Sequence, residues 1–180
     1  MTHHLPPMPG PPPAPAQQPP MPEDVRTARQ LWWGVSGVGL VQLTASIFAG
    51  MNQRKDFAEQ VFDQMRETDP AYTMEQADKL ALVALVFGGA VLGLALVGLT
   101  LLFAHLMARG RFWARAVLTV MGTWLVLIAL LNLFAIGSVT GVAVLVAGGA
   151  AIVQGVLAGG AIYLMHRKES TAYFLAHRRR

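Results

Sequence analysis

No cysteine occurs among the 180 residues, which excludes disulfides, thiolate-held metals, iron–sulfur clusters, redox pairs and palmitoylation. Charge is also scarce: 13% of residues are Asp, Glu, Lys or Arg, about half the share usual in soluble domains. None of these lies at membrane depth in the four apolar blocks, residues 31–49, 80–106, 112–136 and 142–164. Charges at that depth are costly and mark ion paths or proton relays where they occur. A proton-coupled carrier with an embedded carboxylate, such as a small multidrug-resistance carrier, is therefore not expected. Histidine offers little more. Of five, His3 and His4 fall in the N-terminal stretch and His105 at one end of the second block, with no spaced pair inside a block for haem or metal. No glycine cluster precedes Lys-Ser/Thr, and no nucleophile has a base at a useful spacing. No catalytic residue, cofactor or metal is expected, and no folded module for reading nucleic acid.

Hydrophobicity is plentiful: 54% of residues are apolar, in blocks rather than at the period of a half-buried helix or strand. Blocks 80–106 and 112–136 exceed the roughly 20 residues a helix needs to cross about 30 Å of hydrocarbon. Between them runs Ala108-Arg109-Gly110-Arg111-Phe112-Trp113-Ala114-Arg115, room only for a tight turn, with Gly110 placed to end the first helix. The fold class is accordingly all-α: an integral membrane four-helix bundle. Residues 22–168 form the four-span domain, preceded by a Pro-rich tail (1–21) and followed by a basic tail (169–180).

Ten of eleven prolines lie in the first 22 residues, so the tail is expected to be disordered with polyproline II character. Pro11-Pro12-Pro13-Ala14-Pro15 suits either a solvated spacer or docking in an aromatic groove. Pro22-Glu23-Asp24 has the composition of a helix start, leading into an uncleaved first span despite a candidate cleavage position at Ala49. Trp32 and Trp33 stand where an aromatic belt belongs. Residues 52–79 form the one long polar connection. Phe57, Val61, Phe62 and Met65 share a helix face there, suiting a helix on the membrane or bundle surface, or a ligand- or partner-binding cap. Asp69-Pro70 breaks that helix, and Thr73 with Gln76 has the spacing of a capping box that starts the next.

Charge counts orient the chain. With both termini on one side, that side holds ten bases against three acids, a net +7, and the 52–79 loop holds four against seven, a net −3. The excess of bases marks the cytoplasmic face, and both termini are expected there. Arg109, Arg111, Arg115, Arg167 and Lys168 are candidate contacts to anionic headgroups, each worth about 1 kcal/mol near the surface, with Trp113, Tyr163, Tyr173 and Phe174 as aromatic companions. A terminal Arg178-Arg179-Arg180 exceeds what orientation requires. Three amides, Gln42, Asn132 and Gln154, lie within the spans, as interhelical glue or as the lining of a polar path, and Gln42 and Gln154 are both near mid-span. Gly89-x-x-x-Gly93 and Gly155-x-x-x-Gly159, extended by Gly148, allow close helix approach inside the bundle or at a dimer face.

The Pro-rich tail, the four spans, Gly110-Arg111-Phe112-Trp113-Ala114-Arg115 and the ending Ser170-Thr171-Ala172-Tyr173-Phe174 together resemble uncharacterised actinobacterial four-span membrane proteins. That likeness implies a bacterial inner membrane and carries no activity. The expected role is that of a non-enzymatic accessory or scaffold subunit acting through lipid and protein contacts, with a membrane-protein partner or a second copy. A small dimeric pore or carrier lined by Gln42, Asn132 and Gln154 is the alternative.

Overall fold

The computed structural model describes residues 21–135, 137 and 141–178, with side chains to residue 176. The proline run, His3 and His4, most of the turn before Gly141, and Arg179 and Arg180 lie outside the described residues, as does the Arg178 side chain. Among the described residues every regular element is helical: α1 (Glu23–Asn52), α2 (Arg54–Thr68), α3 (Met74–Val83), a π-helical turn (Ala84–Gly88), α4 (Gly89–Ala108), α5 (Phe112–Ala135), α6 (Val142–His166) and α7 (Lys168–Arg178). Four helices are long and apolar enough to cross a membrane: α1, the continuous Met74–Ala108, α5 and α6. The chain is a multi-pass helical bundle.

Local chemistry places the boundaries. Asp69 leaves the helix in an extended conformation, and its carboxylate accepts from the Ala71 N–H at 3.0 Å. Thr73 and Gln76 close the capping box, the Thr73 N–H donating to Gln76 Oε1 at 2.9 Å. Gly110 adopts φ +79°. Its N–H donates to Met107 O at 2.9 Å, and the Arg111 N–H to Leu106 O at 3.2 Å. This is a Schellman ending, which satisfies two carbonyls that α4 would otherwise leave open. The π-helical turn carries no such sequence mark. It lies where α3 passes into α4 and seats Leu85 in the space left by Gly50.

α1 packs on α6 and α4, and α5 packs on the same two, so the ring runs α1–α6–α5–α4. Small residues set the approach. A Cβ on Gly155 of α6 would collide with Ala129 Cβ and lie 3.0 Å from Leu125 O of α5. One on Gly93 of α4 would lie 2.5 Å from Leu43 Cδ1 of α1. Gly89 faces Ile47, Gly148 faces Asn132 and Gly159 faces Val126, so all five glycines of the two small-residue stripes meet neighbouring helices of the same bundle. α2 packs back on α3, the first part of the Met74–Ala108 helix, to form a hairpin. Arg54 clasps Asp78 at 2.9 and 3.0 Å, and Ala58, Ala77 and Ala81 are its buried residues. Phe57 and Met65 stay 42% and 40% exposed, so the apolar face of α2 is only partly covered.

The core is concentrated at the end carrying the basic turn. Val25, Ala28, Trp32 and Val35 meet Ala104, Met107, Ala114, Leu118, Ala158, Ala161 and Met165 there, closed over by Tyr173 and Phe174. Trp32 belongs to this core rather than to an aromatic belt, whereas Trp33, one position on, is 63% exposed. Adjacent helix positions point about 100° apart, so one tryptophan of the pair must face inward.

Gly155→Val should destabilise the bundle by about 1–3 kcal/mol, because the added carbons meet backbone that cannot swing aside. Gly149→Ala, where nothing lies within 4 Å, should leave it unchanged. Thermal unfolding of both variants in mild detergent checks the contrast.

Candidate functional site

Two places in the bundle gather polar side chains. The first is the basic end, where α7 folds back across the helix termini. Ser170 donates to Leu164 O at 2.8 Å, and the Tyr173 hydroxyl to Ala108 O at 3.2 Å. Arg167 pairs with Asp24 at 2.8 Å, tying the α6–α7 junction to the start of α1. Arg115 is 8% exposed. Its guanidinium lies over the rings of Phe174 and Phe112, 5.4 and 5.9 Å from their centroids, with Thr171 Oγ1 at 3.4 Å. Of the five bases expected at headgroups, Arg109, Arg111 and Lys168 are exposed, Arg167 is exposed but ion-paired, and Arg115 is enclosed under α7. Tyr173 and Phe174 likewise face the core instead of lipid. The reason is geometric: the α6–α7 bend at Arg167, in extended backbone, turns the last helix over the bundle end rather than along the membrane. Burial also raises the Tyr173 phenol above its ordinary pKa.

The second place is a cavity of about 410 Å³ at mid-length of the spans. α1 contributes Ser36, Gly39, Gln42 and Ser46; Gly93 and Thr100 lie on α4, Trp124 on α5 and Gln154 on α6. The Gln154 amide N–H donates across the interface to Val35 O at 3.0 Å. Gly39 makes that bond possible, since its Cβ would sit 2.8 Å from Gln154 Nε2. Ser36 and Thr100 spend their hydroxyl protons on Trp32 O and Leu96 O, one turn back. Gln42 shares the cavity with Gln154 but does not bond to it. No described residue meets the Gln42 amide or the Ser46 hydroxyl with a hydrogen bond. Asn132 lies apart, donating to Ile128 O at 2.9 Å within its own helix.

Three lining residues are exposed: Ser46 on α1, Leu96 on α4 and Trp124 on α5, the last two on the helices that form the α4–α5 seam. Phe103 and Trp113 close that seam only near the basic end, edge to face at 5.6 Å. Below the cavity the core of Trp32, Leu118, Met165 and Phe174, each without exposed surface, bars passage to the basic end. His105 lies outside both places, beside Arg29, Trp33 and Leu101. Among the described residues no group of three His, Asp or Glu could hold a metal. No family model, curated protein or solved structure matches the chain.

Sequence reasoning missed Gly39 and the inward side of Trp32, Tyr173 and Phe174. Its place as the last of Gly34, Gly37 and Gly39, three residues before Gln42, was the available signal for the first. The Thr171-Ala172-Tyr173-Phe174 string carries no periodicity long enough to have revealed the second.

Phe174→Ala should cost about 3–5 kcal/mol by emptying the core under α7. Tyr173→Phe should cost about 1 kcal/mol through its lost hydrogen bond. Because the folded-state pKa of Tyr173 is raised, its contribution is complete below the unfolded value of about 10 and is lost as pH climbs towards the folded one. Wild-type protein should therefore lose α7 docking in alkali more steeply than Tyr173→Phe, as read by limited proteolysis of the C-terminus across pH 8–12.

Proposed function

We propose that the protein is a non-enzymatic multi-pass protein of a bacterial inner membrane, with the basic end and both termini in the cytoplasm, acting through contacts with anionic lipids and other membrane proteins. The observation that carries this reading is the charge division in the sequence, a net +7 over the segments assigned to the cytoplasmic side against −3 over residues 52–79. Exposed Arg109, Arg111 and Lys168 supply the headgroup contacts. The hairpin, with Phe57 and Met65 half out among charged neighbours, and the proline run supply surfaces for protein partners. The five stripe glycines already meet helices of their own chain, which favours a partner protein over a homodimer built on those stripes.

One observation favours a carrier as the second reading: Gln42 and Gln154 line a common cavity. Asn132 takes no part in it, and the apolar core seals its basic side, so the residues form a chamber rather than a through-path.

The absence of cysteine gives a clean background for testing orientation. In intact cells a membrane-impermeant maleimide should label Gln60→Cys in α2 and leave Ala172→Cys in α7 untouched until the membrane is opened. The reverse pattern overturns the orientation. For the contact role, native-membrane crosslinking should capture a defined partner that is lost on deleting residues 1–21 and 176–180. Clean isolation of the chain alone, unaltered by those deletions, counts against it.

A further inference from the structure

The mid-length cavity has a composition that neither orientation nor packing accounts for. Gln42 and Ser46 stand four residues apart on one face of α1 and both line it, with no hydrogen-bond partner among the described residues. Gln42 is half-buried and Ser46 exposed, so both keep a polar group open to a ligand at a depth where hydrocarbon offers no acceptors. Gln154 has one amide proton committed to Val35 O, which leaves its carbonyl oxygen available on the opposite wall. No Asp, Glu, Lys, Arg or His lines the cavity, so a charged ligand would enter uncompensated. A neutral ligand that presents acceptors to an amide and a hydroxyl about one helical turn apart satisfies both groups.

The mouth narrows the class. Leu96 of α4 and Trp124 of α5 line the cavity and are also exposed on the bundle surface, so a ligand that enters between them from the bilayer would leave an apolar tail there. Met121, Trp124, Leu125 and Ile128 make one wall, an indole and a thioether among them, which suits a flat ring. The volume of about 410 Å³ falls in the usual range for small-molecule sites. We propose that this cavity binds the head of a neutral prenyl quinone, its two para carbonyls taking protons from Gln42 and Ser46 and its tail leaving through the α4–α5 seam. A para-quinone fits because its two carbonyls accept at opposite edges of one ring, so donors spaced along one helix face, one of them on a long amide side chain, can reach both. Glycerolipids fit less well, since their ester and hydroxyl groups stay at the headgroup level. The assignment rests on the four-span placement and is independent of any partner protein.

The test uses the full chain in lipid nanodiscs and a naphthoquinone bearing a two-unit prenyl tail. Quinones quench indole fluorescence at short range, and Trp124 lines the cavity. Quenching should saturate at one quinone per chain, and Trp124→Phe should remove most of its amplitude. Gln42→Leu and Ser46→Ala should each weaken binding about fivefold, the worth of one hydrogen bond. Ser46→Ala serves as the control for folding, because Ser46 is exposed on its helix. Quenching that rises without saturation, or is the same in wild type and both variants, overturns the site while leaving the four-span placement intact. Equal competition by a prenyl hydrocarbon without carbonyls overturns the quinone in favour of an acyl-chain groove. A chain that fails to enter nanodiscs overturns both the site and the placement.

Discussion

Close backbone approach without side chains is the constraint on which this bundle depends. Between apolar helices in a bilayer there is no hydrophobic gain from association, so what holds them is dispersion over matched surfaces and a few internal hydrogen bonds. Gly155 brings α6 against the backbone of α5 at Leu125 and Val126, and Gly93 lets Leu43 of α1 lie on α4. Gly39 does something further: it lets an amide from α6 reach a main-chain carbonyl of α1. A methyl group at Gly155 would meet backbone and push the helices apart, one at Gly93 would force Leu43 to repack, and one at Gly39 would break a bond that hydrocarbon cannot replace.

Packing density is distributed unevenly along the spans. At the basic end Trp32, Leu118, Met165 and Phe174 are fully buried, and a seventh helix adds its own hydrogen bonds to the ends of α4 and α6. Toward mid-length the buried apolar side chains shrink to Ala45, Ala129 and Ala151, and the centre opens into a cavity. A rigid end beside an open middle gives a pocket of fixed wall positions whose mouth borders lipid. Arg115 contributes to the rigid part by stacking between Phe112 and Phe174, where its planar guanidinium is less costly to dehydrate than an ammonium.

How far the fold was legible follows the range of the interactions. The four spans, the Asp69-Pro70 break, the Thr73–Gln76 box and the Gly110 ending are set by residues within a turn of one another, and all could be read from sequence. The same holds for the acidic start of α1. Which side Trp32 faces, and that Tyr173, Phe174 and Arg115 meet under a folded-back helix, depend on pairs 50 or more positions apart. No local pattern encodes those pairs. The π-helical turn at Ala84–Gly88 is illegible for a different reason: it is a register adjustment between two helices packed on different partners, with no residue preference of its own. For the cavity, the sequence named Gln42 and Gln154 but joined Asn132 to them. Depth alone cannot tell an amide that crosses an interface from one that bonds its own helix.

The rod Met74–Ala108 passes through the π-helical turn without a break. Its 35 residues measure about 52 Å at about 1.5 Å each, so about 20 Å of it stands clear of a hydrocarbon layer about 30 Å thick. That overhang is α3 itself, and α2 is clipped alongside it by Arg54 and Asp78. Spans answer a thinner or thicker bilayer by changing tilt, and a lever of this length turns a tilt of about 10° into a lateral sweep of about 3–4 Å at its tip. A change in bilayer thickness would thereby shift the polar surface that α2 and α3 present.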